Sequence, residues 1–385
     1  MLTFIIFIAI LSVLVFVHEM GHYLTARRFK IGVDEFGMGL PPRALGLQKV
    51  AGKWKLLFGS RLAAPVEESM VYSLNWIPVG GFVKIRGENG ENNTDPSSFG
   101  SKPAWQRAIV LAAGVTMNVI LCVVLLAIGF SIGMPSVVGD QLSPTTIVRD
   151  VKVQVMEVLP ESGAAQAGLK GGDVITAVDG LPVARTTELR SAIHEDATQV
   201  DVTYVRDGDS QTIPVSVSKI GETTGIGVSV FDVGLVRYPW YQAIWQGIVT
   251  TGLWVVAIIS SFGMLIYNLI VGSPAGVDVA GPVGIAVLTG QAARLGLSYV
   301  LQFAALLSLN LAIVNILPFP ALDGGRLLFL AIEKIRGRAV KQRFEALAHN
   351  IGFALLMLLI VVITYRDIAR YGGQAVSALR RVVGL

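Results

Sequence analysis

The chain is poor in charge, cysteine and histidine, and each shortage excludes something. Only 15% of its 385 residues are Asp, Glu, Lys or Arg, against about 25% in an ordinary soluble protein. With 53% hydrophobic residues and a mean hydropathy of +0.63, a wholly soluble globule is excluded. The single cysteine, Cys122, rules out a disulfide framework and a cysteine-built metal site. It falls inside an apolar run and reads as a packing residue. Charge is missing altogether from Met1–Val17, Ala108–Val138, Leu295–Leu322 and roughly Leu347–Tyr365. Each of these runs is long enough to span a bilayer. Met1–Val17 lacks the basic leader of a signal peptide and reads as a retained span.

A fifth uncharged run, Pro239–Val277, needs separate treatment. If the chemistry-bearing ends of the first and third spans meet at one depth, both spans run the same way. The chain between the second and third must then cross an even number of times. Pro239–Val277 is therefore expected to lie on the outer leaflet or dip into it, with a tight helical hairpin as the alternative.

The net charge of +4 hides an uneven distribution. Arg27–Arg107 and Arg326–Arg343 are basic, whereas Asp140–Asp232 is acidic. The positive-inside rule puts the basic segments in the cytoplasm and the acidic one outside, which places the N-terminus outside as well. Arg366, Arg370, Arg380 and Arg381 in the tail argue weakly the other way. Orientation accounts for the basic loops, so no nucleic-acid binding is inferred.

Two of the four histidines stand in His18-Glu19-Met20-Gly21-His22, at the end of the first apolar run. Positions i and i+4 share a helix face, so His18 and His22 can present two imidazoles to one zinc ion. Glu19 has the place of a general base for water. A catalytic zinc commonly takes a third protein ligand at the same depth. Asp323 closes an uncharged run in Asn315-Ile-Leu-Pro318-Phe-Pro320-Ala-Leu322-Asp323-Gly324-Gly325, where two prolines break the helix and two glycines let the backbone turn. An acid so deep is usually functional. His349 competes for the role, but it opens a span instead of closing one. Asn118 and Asn315 each lie inside an apolar span. Such an amide serves as oxyanion donor or substrate clamp, or simply bonds helix to helix. Gly114 precedes Asn118 by one turn and allows close backbone approach.

Between the spans the character changes. Met70–Arg86 reads as strand, turn, strand, with Pro78, Gly80 and Gly81 supplying the turn. Residues 150–232 carry short β-branched runs, turn signals at Asp179-Gly180 and Asp207-Gly208, and two short helical stretches near Ala164–Ala167 and Thr187–His194. They read as one small soluble β-rich domain.

HEMGH at 18–22, GVTMN at 114–118, NILPFPALDGG at 315–325 and PVGGFVK at 78–84 together resemble the site-2 protease family of intramembrane zinc metalloproteases, in its bacterial RseP type. The resemblance covers nearly the whole chain. It implies that His18, His22 and Asp323 bind one zinc, that Glu19 is the base, and that Asn118 and Asn315 are the family's two motif asparagines. It implies a membrane-associated β-hairpin, in which Gly80, Gly81, Phe82 and Val83 would hold unwound substrate by strand addition. The soluble domain resembles a PDZ domain, with Gly168–Asp173 as its turn. Gly225-Ile226-Gly227-Val228 is then the candidate carboxylate loop, in a permuted strand order. RseP-type relatives with two PDZ copies exist; this chain has one.

The expected fold is a polytopic α-helical membrane protein of about four transmembrane helices, with a membrane-associated β-hairpin region and one inserted soluble PDZ-like β/α domain. Its expected parts are a first helix over 1–30, the hairpin region over 31–104, a second helix over 105–139 and the PDZ-like domain over 150–232. An interfacial or re-entrant region over 233–294 follows, then a third helix over 295–325, a basic cytoplasmic loop over 326–345, and a fourth helix and tail over 346–385. The implied activity is zinc endopeptidase action on single-span membrane proteins in the bacterial inner membrane, such as anti-sigma factors or signal-peptide remnants already cut once by another protease. A membrane metal transporter or sensor, or a catalytically silent PDZ scaffold, is the alternative. The transporter needs ligands along a path, and the scaffold a lost His or Glu; the sequence offers neither.

Overall fold

A computed structural model describes residues 2–66, 68–88, 95–139, 145–194, 196–206, 208–220, 223–272, 280–338, 340 and 342–383. In chain order the elements are α1 (Leu2–Arg28), β1 (Val33–Val50), β2 (Lys53–Phe58), β3 (Val71–Ile85), α2 (Ala104–Ile132) and β4 (Met134–Val137). There follow β5 (Ile147–Val158), α3 (Gly163–Ala167), β6 (Val174–Val178), β7 (Leu181–Pro182), α4 (Thr186–Ala192), β8 (Gln199–Arg206), β9 (Asp209–Ser216), β10 (Ser218–Ile220), β11 (Thr223–Gly225) and β12 (Val228–Arg237). The chain ends with α5 (Trp240–Val271), α6 (Pro282–Leu295), α7 (Leu297–Ile316), α8 (Asp323–Arg336) and α9 (Gln342–Val383). It divides into two compact units, residues 1–126 with 247–385, and residues 127–246.

Within the first unit the helix directions follow from contacts. Trp105, at the start of α2, packs edge-on against Phe29 just past the end of α1. Val110 then meets His22, and Asn118 meets His18, so α1 and α2 are antiparallel. A side chain at Gly290, near the end of α6, would strike Thr3 at the start of α1. Asp323, just after α7, meets His18 and His22 at the other end. Helices α1 and α7 therefore run in the same direction. Helix α9 returns against α7, with His349 near Ala321 at one end and Asp367 on the Gly284 amide at the other.

Among the described residues five helices are long and apolar enough to cross a bilayer, four matching the expected spans and the fifth being Trp240–Val271. It is one unbroken helix of 32 residues. A helical hairpin within Trp240–Val271 is therefore overturned, and a helix that lies on, dips into or crosses the membrane remains. The physical reason is that no proline stands between Trp240 and Val271 to make a bend. Residues 273–277 lie outside the described residues.

The β region departs from a simple hairpin. The two arms of β3 do not pair with each other. Residues 35–38 of β1 lie between them, bonded to 71–74 on one side and to 81–84 on the other. Residues 45–48 of β1 flank 71–74 in turn, and β2 flanks 45–50. The arm Gly81–Ile85 is therefore left at a sheet edge. Gly80, at φ +79°, supplies the turn between the arms. The sheet is apolar outward. Leu45, Leu47, Leu56, Phe58, Tyr72 and Leu74 are exposed and opposed in register, and exposed Trp54 lies against Tyr72. On the other face Gln48 is buried and holds the 63–69 segment through Ala63, Ala64 and Ser69.

The second unit is built on a sheet in the order β4-β12-β5-β6-β8-β9, with β7 beside β6. Val153, Val155, Ile175, Val178, Leu189, Val200, Val202, Val215 and Ile226 form its core. The Gly168–Asp173 turn ends α3 with Gly168 at φ +86°, and Arg206 clamps the buried Asp173 with two bonds.

Candidate metal centre

Helix α1 presents His18 and His22 on one face, one turn apart. The prolines and glycines after α7 bring Asp323 to the same place as the first residue of α8. His18 Nε2 lies 3.0 Å from Asp323 Oδ2 and 3.2 Å from His22 Nε2, and His22 Nε2 lies 3.4 Å from the same carboxylate oxygen. Three donor atoms thus form a near-equilateral triangle. Tetrahedral zinc, bound at about 2.0–2.1 Å, holds its ligand atoms about 3.3 Å apart, so the trio fits the ion. Among the described residues no other group of His, Cys, Asp or Glu is arranged for a metal.

Helix α2 orients both rings. His22 Nδ1 donates to the Val110 carbonyl at 2.8 Å, which puts its proton on Nδ1 and frees Nε2 as a ligand. The Asn118 amide meets His18 Nδ1 at 3.3 Å, and the other end of that buried amide has no hydrogen-bond partner. Ser308 of α7 donates to the Asn118 carbonyl at 2.8 Å and ties α2 to the helix that precedes Asp323. Gly114 forms the floor. A Cβ there would overlap His22 Nε2 and come 2.8 Å from His18 Nε2. Gly21 is pressed on the Ala113 carbonyl in the same way.

Glu19 is half-buried beside the trio, and the edge arm of β3 runs past it. A Cβ on Gly81 would stand 3.8 Å from Glu19 Cγ and 3.6 Å from Val15. Gly80, Phe82 and Val83 share this arm. Asn315 sits in the last turn of α7 and makes no side-chain hydrogen bond among the described residues. His349 is not with the trio: it accepts from the Ala321 amide at 2.9 Å and supports the turn before Asp323, where Ala321 is held at φ +78°. The Val110 carbonyl carried no sequence signal, because any residue supplies one.

Gly225-Ile226-Gly227-Val228 lies where β11 passes into β12. Ile226 is in the core, and the Ile226 and Gly227 carbonyls accept from Ala164 and Leu159. The outer edge of β12 is occupied over Val233–Val236 by β4. Only Val228–Phe231 remains for an added strand.

Paired histidines, an adjacent glutamate and a distant aspartate, set among apolar helices, define a membrane-embedded metallohydrolase of the HExxH class. Residues 6–57 and 47–359 match Peptidase family M50. The chain is 30% identical to the zinc metalloprotease RasP of Geobacillus kaustophilus, over 95% of this chain and 97% of that one. It is 30% identical to the regulator of sigma-W protease RasP of Bacillus subtilis, over 96% and 98%. The solved PDZ domain of an SdrC-like protein from Listeria monocytogenes is 27% identical over 22% of this chain and 90% of its own, with a TM-score of 0.20. The chain belongs to Peptidase family M50, the site-2 proteases. It is an intramembrane zinc metalloendopeptidase of the bacterial membrane, acting on membrane-protein substrates.

Proposed function

We propose that the chain cuts single-span membrane proteins already shortened by an earlier cleavage, at one zinc per chain held by His18, His22 and Asp323. The observation that carries this is the triangle of donor atoms beside Glu19 and an unpaired strand edge. Bound there, zinc supplies Lewis acidity to the scissile carbonyl and to water. The rest falls to the chain. Glu19 Oε takes the proton from the attacking water and returns it to the leaving nitrogen. A helix hides its amides, so substrate must be extended; strand addition to Gly81–Val83 would hold it open. Such an edge is tolerated at membrane depth when it faces a cavity or protein. With its amide rotated so that the oxygen, which has no partner here, replaces the nitrogen facing His18 Nδ1, Asn118 accepts a hydrogen bond from the Nδ1 proton and so keeps Nε2 toward the metal. Asn315, without a side-chain hydrogen bond among the described residues, is left to clamp substrate.

The outward apolar face of the β region is the side set toward lipid, with Trp54 at its rim. The PDZ-like unit, the acidic segment, would stand outside the cell together with the N-terminus. Its short free edge at Val228–Phe231 favours the part of a filter against bulky outer domains over that of a groove for long peptides. Incubating the purified protein and its Glu19→Gln variant with a truncated single-span substrate, with zinc analysis of both, tests the reading. Equal cleavage by the two would end it. A transporter needs ligands along a path, and the described residues hold one cluster.

A further inference from the structure

Asp323 is brought to the histidines from far along the chain, and what holds it there is not obvious. Among the described residues its carboxylate bonds only to His18 and His22. Leu322, ahead of it, gives no side-chain cap to α8. The ligand's position is therefore set by where α8 sits and how it is turned about its axis.

An ion pair at the first turn of α8 fixes that. Arg326 lies three residues after Asp323, on the same face and about 4.5 Å along the axis. Its Nη1 meets Glu88 Oε1 at 2.5 Å, with both side chains mostly withdrawn from solvent. Glu88 follows the edge arm of β3 by three residues, across the turn at Gly87 (φ +70°). A cavity of about 230 Å³ separates arm and helix here, lined by Phe82, Val83, Lys84, Ile85, Glu88 and Arg326. Leu327 and Leu330 of α8 join Val83 and Ile85 of the arm in one apolar cluster, and the ion pair ties the two elements on the polar side, at the first turn of the helix. At the far end of α8, roughly 15 Å on, Glu333 takes two bonds from Arg107 of α2, at 2.6 and 3.2 Å. Burial raises the Glu88 carboxyl above its ordinary range, and Arg326 works against that rise. Loss of Arg326 would leave the Glu88 carboxylate withdrawn from solvent without this cation, which is costly.

We propose that the Glu88–Arg326 ion pair is the strut that positions the zinc ligand, fixing the first turn of α8 against the substrate-side strand so that Asp323 reaches His18 and His22. Glu88 and Arg326 are positioning residues: they act through Asp323 and touch neither metal nor substrate. The inference rests on Asp323 being a ligand. It couples the two halves of the site, because displacement of the strand arm would move the aspartate.

The test uses full-length protein in detergent, stripped of metal. Zinc affinity is measured by competition with a chelator, and the cobalt-substituted protein gives an absorption spectrum that reports ligand geometry. Glu88→Gln and Arg326→Gln should each weaken zinc about 10–100-fold, the range for losing a group that orients a ligand, and should shift the cobalt bands. The double variant should be no worse than the single ones, because the pair is broken only once. Arg107→Gln, at the far end of α8, should leave the bands in place. Unchanged affinity and bands in both folded single variants would overturn the proposal, as would an equal band shift in Arg107→Gln. Should Arg326→Gln fail to fold, Arg326→Lys and Glu88→Gln carry the same comparison. Asp323→Asn in parallel separates the failures: if it too leaves zinc unchanged, the ligand assignment is at fault and not the strut.

Discussion

The Val110 carbonyl holds His22 in one tautomer and Asn118 lies against His18 Nδ1, both from a neighbouring helix, and this gives single substitutions distinct signatures. Glu19 orients no ligand, so Glu19→Gln should retain zinc while losing about 100-fold or more of its activity, the usual scale of a lost general base. Cleavage within about tenfold of wild type would remove Glu19 from that role. Asp323→Asn should lose metal as well, because a neutral amide is a poorer ligand for a dication than a carboxylate. The expected fall in affinity is about 10–100-fold or more; a control at Asp278, which lies outside the described residues, should show none. Gly114→Ala is the sharpest of the three. Alanine favours a helix, so α2 should fold as before, yet the added methyl enters the space of both Nε2 atoms. A folded Gly114→Ala protein with full zinc content would contradict the packing described. His18, Glu19 and His22 were legible because their relation is local, and Asp323 because an acid beside prolines and glycines is out of place in an apolar run. The Val110 carbonyl and the Glu88–Arg326 pair were not legible, since nothing local relates them to the site.

At the scale of elements, the β region shows why pattern reading found half a sheet. Met70–Arg86 stood out through its turn residues, but its arms pair with β1 and not with each other. Where β1 pairs with β2 the strands escaped notice because Leu45, Leu47, Leu56 and Phe58 face outward while the other face buries Gln48 beside Leu57, so the pattern differs from the polar-out alternation of a soluble sheet. The unit of residues 127–246 holds none of the proposed metal ligands or Glu19. Its entry and exit meet: the Tyr238 amide donates to the Phe130 carbonyl at 2.9 Å, and Arg237 Nε to the Ser131 carbonyl at 2.9 Å. Excising residues 134–236 behind a short Gly-Ser linker should therefore leave zinc content intact and a short single-span substrate still cut. The range of substrates should widen to those with folded outer domains. Loss of zinc in a folded deletion variant would show that the unit supports the site.

For the whole molecule, the parallel run of α1 and α7 constrains how often the chain crosses. Helix α2 returns against α1, so the path from α2 to α7 must end on the side where it began. Helix α6 has only 14 residues, about 21 Å, short of the roughly 30 Å hydrocarbon layer. If α5 crossed once, α6 could not bring the chain back alone. This favours α5 lying along the outer leaflet, although its length and composition alone would let it span. Cysteine labelling in intact cells decides between them. In a Cys122→Ala background the chain has no native thiol. A cysteine at Ser210, exposed on β9, should label with a membrane-impermeant reagent from outside, and one at Gly337, exposed after α8, only after permeabilisation. The decisive position is Ser273, beyond the end of α5 and outside the described residues. It should label from outside; protection there until the membrane is opened would mean that α5 crosses, and the even count would fail.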